Sequence, residues 1–538
     1  MLFNSYQYFI FFAFVVGAFY AVPHRFRWML LLGASYFYYM MWDPRYGLLI
    51  LTSTAVVYVT ALLMHDKPVG RKKLWVVVSM LVNFGILVAF KYFNFINNSL
   101  KDLFAVFGAN YSVPALSIVM PVGISFYTFM ALSYTIDVYR GTRQPERHFG
   151  IFALFVSFFP VLLSGPIERS TTLLPQFYRE VEYDYDRFTN GLKLMAWGFF
   201  QKLVIADHIN LYVNQVYNRP EFFTGVPILM AIYLFAIQVY CDFSGYTDMA
   251  IGAAQVLGYR LMPNFRRPFF ALTLAEMWRR WHMTLISWLR DYLYIPLGGN
   301  RVPKWRNYFN ILVVFTLSGL WHGAQWTFVL WGSLNGLIMV LSNITRRPRA
   351  WVQNSVFGGL GRVPAAAYFT IAAALAAAAV LPGLAGITAG SGVKTAAVAS
   401  GAAAFAFGVM KARDGVIGKF LHSTRKLWMM FVTFNLFAFC GVFFRARDVK
   451  QGWYMITHSI GGNAMAVFLA QDMVQFFLIL LLVVLLFVIH YIQETRGSIR
   501  EIIKALPAWL RWTLYVCLCT GILMLGVRGS GQFIYFRF

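Results

Sequence analysis

The residues best placed to do chemistry are ionisable side chains embedded in apolar sequence. His322 lies in Leu317-Ser-Gly-Leu-Trp-His-Gly-Ala-Gln-Trp326, with long apolar runs on both sides. An imidazole in such a setting is costly, because hydrocarbon cannot solvate it. Trp321 precedes it, and Gly319 and Gly323 leave room for a second backbone or a ligand to approach. The matching chemistry is that of a buried general base or acid. The structural alternative is a neutral histidine hydrogen-bonded between helices. A few residues on, Trp331-Gly-Ser-Leu-Asn-Gly336 adds Asn335 to the same apolar stretch.

A second histidine, His282, stands in Glu276-Met-Trp-Arg-Arg-Trp-His-Met-Thr-Leu-Ile-Ser-Trp-Leu-Arg-Asp-Tyr-Leu-Tyr294. Read as one helix, this segment aligns Arg280, Thr284, Ser287 and Asp291 on one face. Trp281, Leu285, Trp288 and Tyr292 form an aromatic stripe beside them. Trp278, Arg279, Arg280, Trp281, Arg290 and Asp291 suit either a surface helix on anionic headgroups or a vestibule gripping a phosphorylated donor. Forty residues separate His282 from His322, so the two meet only through folding.

A third cluster, Gln238-Val-Tyr-Cys-Asp-Phe-Ser-Gly-Tyr-Thr-Asp-Met-Ala-Ile-Gly252, puts Asp242, Ser244, Tyr246 and Asp248 in an apolar run that begins near Pro227. On a helix, Cys241, Gly245, Asp248 and Gly252 make a stripe of small residues suited to close packing. The carboxylates suit either substrate contact or pairing with an arginine. No nucleophile elbow, Walker loop, His-Glu-x-x-His or His-x4-Asp pattern occurs, and no metal-ligand constellation is expected. The four cysteines, Cys241, Cys440, Cys517 and Cys519, all lie in apolar stretches and read as small packed hydrophobes.

The elements that must position these residues are membrane helices. The chain of 538 residues is 59% hydrophobic and 12% charged, against roughly 25% charged in soluble domains. It therefore reads as a polytopic membrane protein. The net charge of +25 sits mainly in short connectors such as Lys67 to Lys73 and Arg346-Arg-Pro-Arg349. The positive-inside bias explains it, and nucleic acid is not implied. The alternation of basic connectors favours an extracytoplasmic N-terminus. The first run, Tyr8 to Val22, lacks a basic segment before it and reads as a span, not a cleavable signal.

About ten to twelve spans of roughly 20 residues fit. Residues 1–105 read as N-terminal scaffold with almost no buried charge, and 113–345 as the chemical core. Residues 365–410 read as Ala-rich packing spans, and 427–538 as C-terminal spans. The run from Met120 to Arg140 is long enough to cross. The short Phe-rich run before Phe159-Pro160 suits a re-entrant or interfacial piece. Gly191 to Ile209, with Lys193, Lys202, Asp207 and His208, suits a helix lying at the interface.

Several of these stretches together resemble the membrane-bound O-acyltransferases (MBOAT), in the bacterial branch typified by the alginate O-acetylation membrane protein. The likeness is carried by Tyr240-Cys-Asp-Phe-Ser-Gly-Tyr-Thr-Asp-Met-Ala-Ile-Gly252, Phe265-Arg-Arg-Pro-Phe269, Trp278-Arg-Arg-Trp-His282, Leu289-Arg-Asp-Tyr-Leu-Tyr-Ile-Pro-Leu-Gly-Gly-Asn-Arg301 and Gly319-Leu-Trp-His-Gly323. Gly123-Ile-Ser-Phe-Tyr-Thr-Phe129, Ile136-Asp-Val-Tyr-Arg-Gly141, Phe443-Phe-Arg-Ala446 and Phe533-Ile-Tyr-Phe536 extend it; the 365–410 segment departs from it.

The resemblance implies an all-α polytopic membrane protein with spans around a thinned centre and interfacial or re-entrant helices forming a funnel to the buried histidine. The family's catalytic histidine maps onto His322, and its second motif histidine onto His282. It also implies O-acetylation of an exopolysaccharide such as alginate in a bacterial inner membrane. The donor would be acetyl-CoA or another acyl thioester, with no permanently bound cofactor. The partners would be the lipid bilayer, a polysaccharide acceptor and an extracytoplasmic esterase-like O-acetyltransferase. Acyl transfer to teichoic acid, lipid or protein is the alternative within the family, and a transporter of activated donors is the alternative outside it.

Overall fold

The computed structural model describes residues 1–351, 416–461 and 472–527. The Ala-rich 365–410 segment and Phe533-Ile-Tyr-Phe536 lie outside the described residues. Among those described, the ordered elements are helices and no strand occurs. The order is α1 (Tyr6–Ala21), α2 (His24–Met40), α3 (Arg45–Met64), α4 (Val69–Leu87), α5 (Phe93–Val106), α6 (Ile124–Tyr139), α7 (Phe149–Ser157), α8 (Phe159–Leu162), α9 (Ser170–Phe177), α10 (Tyr185–Phe199), α11 (Asp207–Asn218) and α12 (Val226–Val256). Then come α13 (Leu274–Arg280), α14 (Met283–Leu289), α15 (Lys304–His322), α16 (Trp326–Ile344), α17 (Val416–Arg445), α18 (Val449–Thr457), α19 (Met473–Arg496), α20 (Ile499–Lys504) and α21 (Ala508–Leu525).

Prolines start many of these helices. Pro23, Pro44, Pro68, Pro303 and Pro507 stand at the N-terminal caps of α2, α3, α4, α15 and α21. A proline cannot continue a preceding helix, and at a helix start its missing N–H leaves nothing unsatisfied. Seven helices among the described residues are long and apolar enough to cross a membrane. The chain is an all-α, multi-pass membrane protein. About ten to twelve spans are expected from the sequence; the Ala-rich spans of 365–410 lie outside the described residues, and several other apolar runs fold into shorter helices. α6 is 16 residues long, since Met120 to Gly123 stay outside it, and it is buried almost throughout. α7 and α8, of 9 and 4 residues, do not cross, as the short run before Pro160 implied.

The chain divides into two compact units. One comprises Met1–Pro268, Trp278–Leu337 and Phe437–Phe538; the other comprises Phe269–Met277 and Ile338–Leu436. Both histidines of interest belong to the first. Its longest helix, α12, has 31 residues and most of its apolar core is enclosed by protein. α10 crosses it backbone to backbone: a Cβ on Gly198 would stand 2.5 Å from Gly245 O, and one on Gly191 would stand 2.8 Å from Gly252 O. This is the packing the small-residue stripe foretold. By contrast α21 has no buried residue, so Cys517 and Cys519 are exposed on it and are not packed as expected; Cys241 and Cys440 are buried.

Among the described residues three π-turns interrupt the helices, at Val88–Tyr92, Phe200–Ala206 and Arg290–Tyr294. Each carries a basic residue: Lys91, Lys202 and Arg290. Such wide turns often mark functional positions. Lys202, in the stretch that the sequence suggests lies at the interface, is buried and paired. Its Nζ lies 2.7 Å from both Asp207 Oδ1 and Asp242 Oδ1, and all three side chains are at most 4% exposed.

Candidate active site

The segment expected to form one amphipathic helix from Glu276 to Tyr294 is broken at its histidine. His282 adopts a left-handed conformation (φ 42°, ψ 51°) between α13 and α14. A non-glycine residue there costs about 1–2 kcal/mol and persists only where its surroundings hold it. The holding residue is Asn264, which sequence reasoning missed. Met283 N–H donates to Asn264 O at 2.9 Å. Asn264 Oδ1 accepts from Thr284 Oγ1 at 2.7 Å and from the Thr284 N–H at 3.3 Å, and lies 3.1 Å from His282 Nδ1. A backbone N–H only donates, so this side-chain atom is the oxygen, and His282 must be the donor to it. The ring proton is therefore on Nδ1 and the lone pair on Nε2. Nε2 is buried with no hydrogen-bond partner among the described residues.

The same loop is clamped from the 164–169 segment. Ile167 N–H donates to Thr284 Oγ1 at 3.1 Å, and Glu168 Oε1 accepts from Met262 N–H at 2.6 Å. Burial pushes the Glu168 carboxyl up to about 7, although the Met262 N–H, Thr172 and Arg169 all favour its charged form.

His322 is the last residue of α15 and is buried. Its ring sits among Trp321, Trp331 and Phe444, at centroid distances of 4.9, 5.1 and 5.4 Å. The His282 ring is 6.3 Å away and Trp321 is 5.9 Å from it, so folding brings the two histidines together. Trp278 contacts Trp331 at 5.9 Å. Asn335 does not reach His322; its Nδ2 donates to Trp331 O, one turn back, at 2.8 Å.

Two small cavities flank His322. One, of about 50 Å³, is shared with Lys91, Ser125, Gly123 and Trp321. The other, of about 20 Å³, is apolar and shared with Trp281, Trp331, Val239 and Phe437. Lys91 was outside any expected site, because residues 1–105 read as scaffold. Its Nζ donates to Trp321 O at 2.7 Å and lies 3.3 Å from both His322 O and Ser125 Oγ.

A larger cavity, of about 960 Å³, lies beyond an aromatic layer. Tyr240 lines it, and the Tyr240 ring is 6.1 Å from Trp281, which lines the small apolar cavity beside His322. Ser244 and Asp248 face this large cavity and are joined through Gln201: Ser244 donates to Gln201 Oε1 at 2.6 Å, and Gln201 Nε2 donates to Asp248 Oδ2 at 2.7 Å. Six basic residues line it against two acidic ones, Asp186 and Asp248. Lys504 pairs with Asp186, and Arg267 with Glu494. Lys193, Arg266, Arg500 and Arg511 have no carboxylate within ion-pair distance among the described residues. The surplus suits a phosphate-bearing ligand with an apolar tail.

Other expected site residues are placed elsewhere. Asp242 pairs with Lys202, not with an arginine, and Tyr246 packs against Phe3, with Lys202 5.9 Å above its ring. Arg279 is exposed, Arg280 pairs with Glu494 at 2.9 Å, and none of Arg279, Arg280 and Arg290 lines the three cavities described. Arg290 and Asp291 instead join Arg169, which holds Asp291 at 3.2 Å, and Tyr292 donates to Asp137 Oδ1 at 2.8 Å. This ionic cluster ties α6 and the 164–169 segment to the π-turn after α14.

The sequence profile of the MBOAT, membrane-bound O-acyltransferase family matches residues 148–372, which hold both histidines. The chain is 38% identical over 363 residues to the probable alginate O-acetylase AlgI of Azotobacter vinelandii, covering 65% of this chain and 72% of that protein. It is 35% identical over 340 residues to the peptidoglycan O-acetyltransferase of Helicobacter pylori, covering 58% and 63%. The teichoic acid D-alanyltransferase of Bacillus subtilis is more distant, at 27% over 242 residues, 43% of this chain and 60% of that one. With two histidines brought together at the buried end of α15 and relatives of this closeness, the chain belongs to the membrane-bound O-acyltransferase family and is an O-acyltransferase.

Proposed function

We propose that this protein O-acetylates a polysaccharide exported across a bacterial cytoplasmic membrane, with an acyl thioester such as acetyl-CoA as donor. The names of the nearer relatives, an alginate O-acetylase and a peptidoglycan O-acetyltransferase, support a polysaccharide acceptor over a teichoic acid. The observation that carries the reading is the approach of His322 and His282 to 6.3 Å, with His322 lining two separate cavities. Donor and acceptor entering by separate cavities would meet at that imidazole.

His322 acts as general base. It takes the proton of the acceptor hydroxyl as that oxygen attacks the thioester carbonyl, and returns it to the departing thiolate. The acetyl group moves from sulfur to oxygen, and a free thiol leaves. His282, with its lone pair on buried Nε2, orients the donor or relays the proton. The large basic cavity suits the phosphates of the donor, with Arg266, Arg500 and Arg511 at its wall. The acceptor is the sugar itself or a hydroxyl of an extracytoplasmic esterase-like partner that passes the acetyl on.

The test replaces His322 with Ala, confirms membrane insertion, and measures O-acetyl on the cell's exopolysaccharide together with turnover of [¹⁴C]acetyl-CoA by purified protein in proteoliposomes. Loss of both is expected. Unchanged acetylation would rule the reading out.

A further inference from the structure

We propose that Lys91 is a positioning residue for His322, a side chain by which the N-terminal helices hold the reaction centre. The inference rests on the reading of His322 as the base.

An α-helix leaves its last carbonyls without intrahelical partners, and burial makes that costly. α15 ends at His322, because Gly323 takes an extended conformation (φ −157°, ψ 147°). The three final carbonyls are met by two neighbouring side chains of one π-turn. Tyr92 OH donates to Leu320 O at 3.0 Å, while Lys91 Nζ donates to Trp321 O at 2.7 Å and lies 3.3 Å from His322 O. The negative end of a helix favours the charged form of an amine placed there. Tyr92 would suffice for capping alone at its own carbonyl. Lys91 differs in two ways. Its amine reaches two carbonyls and a hydroxyl at once, and it faces the cavity that it shares with His322 and Ser125. The π-turn makes this possible by turning Lys91 toward α15 from within a 38-residue apolar segment, Val69–Val106. Lys91 thus fixes the peptide that carries the imidazole and places its amine beside the cavity that opens on His322.

The experiment compares Lys91→Met, Lys91→Arg and Tyr92→Phe in full-length protein in proteoliposomes, with [¹⁴C]acetyl-CoA as probe and His322→Ala as reference. Lys91→Met is expected to lower kcat about tenfold or more, as loss of a charged hydrogen bond does, with KM for acetyl-CoA within about twofold. Lys91→Arg is expected to recover most of that loss, and Tyr92→Phe to leave kcat close to wild type. Wild-type kcat in Lys91→Met overturns the proposal. So does a Lys91→Met protein that fails to accumulate, or whose kcat and melting temperature fall in step with Tyr92→Phe, because a plain helix cap would do the same. If His322→Ala itself retains turnover, it is the base assignment that fails.

Discussion

Gly319 of α15 and Gly332 of α16 cross with nothing between their backbones: a Cβ on either would stand 3.0 Å from the Cα of the other. A Cβ on Gly332 would also strike Phe315 O. Neither backbone can yield without moving a helix. Gly332→Ala is therefore expected to destabilise the protein by about 1–3 kcal/mol, the usual cost of overpacking. It should also reduce acyl transfer, since His322 lies one turn beyond Gly319. Thermal unfolding in detergent and acetyl-CoA turnover measure the two effects, and a protein unchanged in both would contradict the crossing.

Asn264 holds His282 through a single oxygen. Asn264→Leu removes the acceptor for the ring N–H and for two Thr284 donors at once. Leaving buried donors unpaired costs about 1–3 kcal/mol. If that cost falls on the reactive arrangement, turnover should drop by roughly 10–100-fold. Asn264→Asp retains an acceptor and should lose less. Equal activity in Asn264→Leu and wild type would detach His282 orientation from the reaction.

Lys202 lies between Asp207 and Asp242, all three being buried. Lys202→Met would leave two carboxylates without their shared cation, and breaking buried pairs costs roughly 3–5 kcal/mol. The variant is expected to accumulate poorly and to elute as aggregate in fluorescence size-exclusion chromatography. Adding Asp207→Asn and Asp242→Asn to it should restore a monodisperse peak. If the single variant behaves like wild type, the triad is not a structural requirement.

Glu168 gives stability a pH dependence. Its carboxyl titrates near 7 when folded, against an ordinary value of 4.5, because burial disfavours the charge. The folded state then binds the proton more tightly than the unfolded one. This contribution is fully present below about 4.5 and is lost as pH rises through about 7. Melting curves between these limits should show wild type losing stability relative to Glu168→Gln as pH rises. Parallel curves would mean that Glu168 does not titrate in this window.

His322 was legible in the sequence because an imidazole in an apolar run is rare and costly, and His282 because of the motif around it. The glycine and small-residue spacing in Cys241 to Gly252 foretold a tight crossing, and α10 supplies the matching glycines at Gly191 and Gly198. What escaped was non-local. Trp278-Arg-Arg-Trp-His282 contains neither Gly nor Pro, so nothing local announces the left-handed break at His282. Asn264 is a lone amide between Pro263 and Phe265, and only the fold reveals its three bonds. Lys91 sits in Phe90-Lys-Tyr-Phe93, where hydropathy reads as an ordinary span, and the carbonyls it meets are more than two hundred residues away. Of the arginines in the Trp-Arg-Arg-Trp-His motif, Arg280 meets Glu494, more than two hundred residues away, and that ion pair could not be read from the charge alone.

The π-turn at Val88–Tyr92 has a consequence for register. A π-turn accommodates one residue more than an α-turn, so the residues after it are offset by about 100° from where a continuous α-helix would put them. The alignment of Lys91 and Tyr92 with the end of α15 is therefore written in residue count, not only in residue identity. Deleting Ala89 would keep every side chain named here and still rotate both away from the carbonyls they meet. A deletion scan across this helix should thus show a narrow dip in activity at the wide turn, with single substitutions of its apolar residues tolerated around it.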